Sequence, residues 1–260
     1  MASNPPTRPN HLEPSPLGTK EYWDSLYTTE LYNHTADTSD IGTIWFSDSG
    51  AENKVLSFLS SHILAPKSIL GPETTRQNCS FLDLGTGNGH FLLRLRGFDG
   101  DEDGEEDGGG EKWAGRMLGV DYSAQSVEFA RRIAASEGVE VEFAYFDLMT
   151  DSPASILTHD QAGGWDVVLD KGTFDAISLS EERDDRGRRL CEGYRERVVP
   201  LVRKGGLLLV TSCNWTGEEL RGWFAGAGLG VVGEVRYRSF VFGGAQGQTI
   251  SSVCFRKESG

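Results

Sequence analysis

Apolar residues along this chain follow two rhythms. One is short and continuous: residues 81–84, 117–121, 141–147, 166–170, 207–212, 231–240 and 250–255 are runs rich in Val, Leu, Ile and Phe. Runs without polar alternation belong to strands covered on both faces, the situation of a parallel sheet. The second rhythm has helical spacing and fills the gaps at residues 89–98, 123–137 (with Ser123 as cap), 190–199 and 216–227. Strand and helix in alternation predict an α/β fold, a doubly wound seven-stranded sheet that is mostly parallel. Only Gly243-Gly244-Ala245-Gln246-Gly247-Gln248 separates the last two runs. That is too short for a crossover helix, so these strands are expected to form an antiparallel C-terminal hairpin. Upstream, residues 20–32 carry Tyr22, Trp23, Leu26 and Tyr27 and predict a short helix. Ser47 or Asp48 is placed to cap a second one, whose apolar face is Val55, Leu56, Leu59 and Ile63.

Length and charge narrow the picture. The 260 residues suffice for one domain with a large core, expected over 17–260. Residues 1–16 are rich in Pro, Ser and Asn, have no apolar centre, and read as a disordered tail rather than a signal or transit peptide. No apolar run approaches the roughly 20 residues of a membrane span. The net charge is −14, and eight of the 39 acids lie within residues 99–111, a glycine-rich stretch without a base. It reads as a solvated acidic loop. Such a chain is not expected to coat nucleic acid, but it would attract a basic protein surface. Four scattered cysteines and five histidines make no metal or disulfide pattern, which fits a reducing cytosol or nucleus.

The candidate chemistry begins at Phe81-Leu82-Asp83-Leu84-Gly85-Thr86-Gly87-Asn88-Gly89, a strand running into a glycine turn. Alternate glycines let backbone approach a ligand closely. The spacing is G-x-G-x-G, and His90 stands where a dinucleotide site would have its third glycine. Asp83, two residues before the first glycine, adds an acceptor for an ammonium. Acid and glycines together suit S-adenosylmethionine better than a pyrophosphate, with Thr86 and Asn88 as further contacts. Acids recur at the ends of the next runs: Asp121, followed by Tyr122, for ribose hydroxyls; Asp147, followed by Leu148, for an adenine amine; and Asp170. In open α/β sheets that edge holds the ligand. Asp170-Lys171-Gly172-Thr173-Phe174-Asp175 offers a carboxylate, a turn and an aromatic ring to an incoming ammonium. Asn214 offers a carbonyl and Trp215 a flat wall, while Trp45 and Phe46 could cover the cofactor. Phe174 and Trp215 could equally be core residues, and Trp45 could simply pack on the sheet.

These residues carry a resemblance. Leu17-Gly-Thr-Lys-Glu-Tyr-Trp23, Ile44-Trp-Phe46, the Asp83–Gly89 turn, Asp170-Lys-Gly-Thr-Phe-Asp-Ala-Ile-Ser178 and Thr211-Ser-Cys-Asn-Trp215 together resemble the seven-β-strand protein-lysine methyltransferases of translation elongation factor 1-alpha, the fungal members above all. The likeness runs from about Leu17 to the C-terminus; the acidic stretch is its departure. It implies a class I, Rossmann-like methyltransferase that uses S-adenosylmethionine and acts as a monomer on a lysine of that factor. Trp45, Asp83, Gly85, Thr86, Gly87, Asn88, Gly89, Asp121, Tyr122, Asp147, Leu148 and Asp170 would then hold the cofactor. Asp170 would also orient the amine, with Phe174, Asn214 and Trp215 around it. A small-molecule methyltransferase would share the cofactor residues, and an oxidoreductase using NAD has a related fold.

Overall fold

The computed structural model describes residues 9–63, 68–98, 112–238, 240–242, 245–247 and 249–258. The acidic stretch 99–111, residues 1–8 of the expected tail and parts of the expected hairpin loop lie outside them. Two helices come first, α1 (Lys20–Ala36) and α2 (Ala51–Ile63). Then follow β1 (Phe81–Leu84), α3 (His90–Leu95), β2 (Met117–Asp121), α4 (Ala124–Ser136), β3 (Glu142–Tyr145), β4 (Trp165–Lys171) and α5 (Thr173–Ser178). The chain continues through α6 (Leu190–Val198), β5 (Val202–Ser212), α7 (Gly217–Phe224), β6 (Leu229–Val235), β7 (Phe240–Phe242), β8 (Ala245–Gly247) and β9 (Ser251–Lys257).

Seven strands form one sheet in the order β3-β2-β1-β4-β5-β9-β6. The first five pair in parallel, and β9 lies antiparallel between β5 and β6. Both faces are covered, as the continuous apolar runs require. Phe81, Val167, Leu169, Leu207 and Leu209 face a core shared with α1, α2, α3 and α4. The residues between them, Leu82, Leu84, Val168, Leu208 and Val210, face a second core with α5, α6 and α7. The strand order reverses between β1 and β4, so the crevice for a ligand opens beyond their carboxyl ends.

The expected cap at Ser123 is present, and Thr216 caps α7 in the same way, each side chain accepting the N–H three residues on. Ser47 and Asp48 instead lie in a separate 3-10 turn, and α2 starts only at Ala51. The run 231–240 is not one strand. β6 ends at Val235, and β7 and β8 form a ribbon apart from the main sheet. The apolar alternation through Tyr237 outlasts the ladder, so periodicity overruns the strand. Order also begins before residue 17. Ser15 donates its N–H to the Leu179 carbonyl at 3.1 Å, and the Leu12 carbonyl accepts from the buried Arg189 guanidinium at 2.8 Å. Arg189 also donates to the carbonyls of Ser178 and Ser180, fastening the N-terminal segment to the end of α5.

Candidate active site

β1 delivers the chain into the glycine turn with Gly85, Gly87 and Gly89 all at positive φ (61°, 58° and 76°). That backbone is open to glycine at little cost. The room left by the missing side chains is used by the protein itself. A Cβ on Gly85 would collide with Thr173 Oγ1, one on Gly89 with the Phe143 ring, and one on Gly87 would stand 2.7 Å from the Tyr27 hydroxyl. The neighbours of Gly85 and Gly87 belong to helices, Thr173 to α5 and Tyr27 to α1, whereas Phe143 beside Gly89 belongs to β3. The turn is tied to β2 by the Thr86 N–H on the Val120 carbonyl. Asn88 bridges outward, its amide donating to the Ile41 carbonyl at 2.9 Å and its oxygen accepting the His90 N–H. It therefore holds the 41–43 loop over the turn.

Strand register decides where the four acids point. Asp83 lies beside Gly119, two residues before Asp121, and Asp121 lies beside Tyr145, two residues before Asp147. Even spacing keeps all three on one face. Asp170 pairs with Leu84, not with Asp83, and so turns to the opposite face. Asp83 accepts the Thr86 hydroxyl at 2.8 Å, and burial raises it to about 7 against the pull of Lys171. Asp121 accepts the N–H groups of Gly87 and Ser123, one on each oxygen, and burial raises it too. A second lone pair on each oxygen is left for hydroxyl donors. Asp147 is half-buried and accepts the Met149 N–H at 2.9 Å. Tyr122, also half-buried, lies beneath the Lys20 ammonium, 5.2 Å from its ring centre.

Asp170 has another task than meeting an amine. It is 1% exposed; one oxygen accepts the N–H groups of Thr173 and Phe174 and the other the Tyr194 hydroxyl at 2.5 Å. It caps α5 and locks it to α6. Burial raises it to about 7. Asp175, raised to about 6 by burial, accepts the Ser212 hydroxyl and the Cys213 N–H at 2.8 Å and so anchors the loop after β5. Phe174 and Trp215 are not channel walls. Their rings lie 6.1 Å apart within a buried cluster with Tyr194, Trp223 and Phe224, because both follow strand ends on the second-core face. Leu148 belongs to that core as well. Asn214 is exposed at the rim, next to the exposed Cys213.

Besides Trp45, residues not anticipated from the sequence complete the first face. Tyr27, Trp23 and Trp45 form a train of rings, 6.1 and 5.4 Å between neighbours, leading across the glycine turn. Beneath it, the Lys171 ammonium faces Glu52 at 3.4 Å, and Glu52 also holds His90 at 2.7 Å. Strand alternation could have found Lys171, since the residue after Asp170 must return to the Asp83 side. Nothing in the sequence pairs Glu52 with His90. A cavity of about 290 Å³ lies elsewhere, between α6 and α7, away from the glycine turn.

The buried acids give a pH signature. Asp83, Asp170 and Asp175 hold protons in the folded state up to about pH 6–7 and, unfolded, only to about 4. The folded state therefore binds more protons in that window, and stability falls as pH rises through it. The ligand-free protein is expected to gain on the order of 2 kcal/mol between pH 8 and pH 6. Thermal melts across that range check the sign; a melting temperature that drops on acidification would contradict it.

A methyltransferase-domain family model matches residues 75–233. The chain is similar to the protein-lysine N-methyltransferase EFM4 of Saccharomyces cerevisiae, 38% identical over 249 residues that cover 95% of this chain and 97% of the relative. It is similar also to EEF1A lysine methyltransferase 2 of Homo sapiens, 30% identical over 244 residues, 94% and 88% of the two chains. Among solved structures, the magnesium protoporphyrin IX methyltransferase of Synechocystis PCC 6803 with bound SAM has the same fold. Its TM-score is 0.55 at 12% identity, covering 92% of this chain and 95% of that one.

Proposed function

Because this chain belongs to the methyltransferase family that includes those protein-lysine N-methyltransferases, we propose that it moves methyl groups from S-adenosylmethionine to a lysine ε-amine of translation elongation factor 1-alpha. The observation that carries the reading is similarity to lysine methyltransferases over 94–95% of the chain, not over the cofactor-binding half alone. The residues at the strand ends fit the cofactor. Asp83 suits the methionine ammonium, Asp121 the ribose hydroxyls and Asp147 the adenine amine, all on one face. When bound, S-adenosylmethionine supplies an electrophilic sulfonium methyl.

The protein's own contribution is to orient and dehydrate. A free lysine near pKa 10.4 costs about 4.6 kcal/mol to neutralise at pH 7. Tyr27, Trp23 and Trp45 close the turn against water, and a water-poor site lowers that cost. Asp170 braces the site through α5 and takes no proton from the amine, since β4 turns it to the face opposite Asp83 and buries it there. The proton leaves to solvent as the amine enters. Asn214, exposed at the rim, serves the protein substrate. Asn214→Ala is expected to raise the KM for elongation factor 1-alpha about tenfold, the worth of one hydrogen bond to a charged group, with cofactor affinity unchanged. Steady-state kinetics alongside calorimetry separates the two; an equal loss of cofactor binding would move Asn214 to the cofactor's side.

The decisive assay incubates the protein, radiolabelled S-adenosylmethionine and purified elongation factor 1-alpha. Label on the factor, with mass added at a lysine in methyl steps, supports the reading. Label confined to small molecules in cell extract, with cofactor binding intact, would discard the protein substrate and keep the fold.

A further inference from the structure

The methionine end of the cofactor is a zwitterion, and Asp83 answers only its ammonium. Donors without adequate acceptors lie on the same face. Lys171 ends β4, two residues beyond Leu169, which pairs with Asp83. Its side chain is 16% exposed, and its ammonium reaches one Glu52 oxygen and the Trp45 carbonyl, each at 3.4 Å. Both distances are long for an ammonium with three donors. Glu52 is shared, because its other oxygen is engaged by His90 at 2.7 Å. The second donor is the Trp45 indole N–H, buried and without a hydrogen-bond partner. A buried N–H left unpaired is rare enough to need an explanation.

The backbone around these donors is strained. Phe46, between Trp45 and the 3-10 turn, has φ 68° and ψ 21°, unusual for a bulky residue and the kind of strain that marks binding segments. Its ring lies over Gly172, where a Cβ would come within 3.2 Å, and its centre is 6.0 Å from the Lys171 ammonium. That posture turns the Trp45 carbonyl toward Lys171 and tucks the indole against Trp23. Two donors and a strained loop thus adjoin an acid and a glycine turn, and Glu52, shared with His90, stands 3.4 Å from one of the donors.

We propose that the Lys171 ammonium and the Trp45 indole N–H form a receptor for the α-carboxylate of the cofactor's methionine, so that with Asp83 the site reads the amino-acid head as a zwitterion. Glu52 and His90 are positioning residues that keep Lys171 on this face. The proposal rests on S-adenosylmethionine being the cofactor. Calorimetry of the full chain with S-adenosylhomocysteine, its decarboxylated analogue and methylthioadenosine tests both separately. Wild type is expected to prefer S-adenosylhomocysteine over the decarboxylated analogue by at least about tenfold. Lys171→Met should erase that preference by weakening S-adenosylhomocysteine alone, Trp45→Phe should reduce it several-fold, and Lys171→Arg should keep most of it. Unchanged methylthioadenosine binding reports that each variant is folded. If Lys171→Met does not fold, Trp45→Phe against Lys171→Arg carries the test. A full preference retained in Lys171→Met or in Trp45→Phe, or equal losses for all three ligands, overturns the receptor. A wild type that binds none of the three overturns the cofactor reading instead.

Discussion

Asp83→Ala is expected to lower methyl transfer by about two to three orders of magnitude while leaving the ligand-free protein as stable as wild type. The two halves have one cause. Asp83 is 3% exposed, and in the ligand-free fold its charge has Thr86 and the more distant Lys171 for company. A carboxylate raised to about 7 is one the fold carries at a cost at pH 7.5, because unfolding would return it to water. Removing it relieves that cost and forfeits one hydrogen bond of about 1 kcal/mol, so the melting temperature should scarcely move. Binding has no such compensation. Deleting one member of a buried charge pair costs about 2–5 kcal/mol, which at the upper end is a few thousand-fold in affinity. Calorimetry with S-adenosylhomocysteine, paired with a thermal melt, reads both numbers. Wild-type affinity in Asp83→Ala would remove the acid from the cofactor site. A large fall in melting temperature would make it structural.

The fold was legible because its strands are buried on both faces, so their apolar runs show without any partner. What failed was what periodicity cannot carry. α5 has six residues, too few for a helical period, and its N-terminus hangs on a local bond to the Asp170 side chain three residues back. β6 stops where the ladder stops, although the alternation of Val235 and Tyr237 continues. Residues 9–16 lack an apolar run of their own, yet they pack through backbone bonds to Leu179 and Arg189, which composition does not reveal. In the site, the glycine turn follows from spacing alone, whereas the face shared by Asp83, Asp121 and Asp147 needs the β1–β2 and β2–β3 registers. Asp170 looked equivalent because it also ends a strand. One position of register separates it from Asp83, and that offset is a property of the β1–β4 pairing. The same offset hid Lys171, its neighbour on the productive face. Phe174 and Trp215 could be told from channel walls only by seeing which core they enter.

Asp170→Ala is expected to destabilise the protein by about 3 kcal/mol. Two contributions add. α5 loses the side chain that receives the Thr173 and Phe174 N–H groups, and Tyr194, fully buried, keeps a hydroxyl with no acceptor. The damage would travel to the glycine turn, because Thr173 donates to the Leu84 carbonyl at 2.6 Å and occupies the space beside Gly85. Cofactor affinity and turnover should therefore fall together with the melting temperature. Tyr194→Phe separates this brace from a base acting on the amine. It leaves the Asp170 carboxylate in place and removes only the hydroxyl, so a base would still work. For a brace, Tyr194→Phe and Asp170→Ala share one interaction, and the double variant should cost less than the two single ones combined. Full stability in Asp170→Ala with turnover abolished would return Asp170 to the reacting amine, against the direction in which β4 points it.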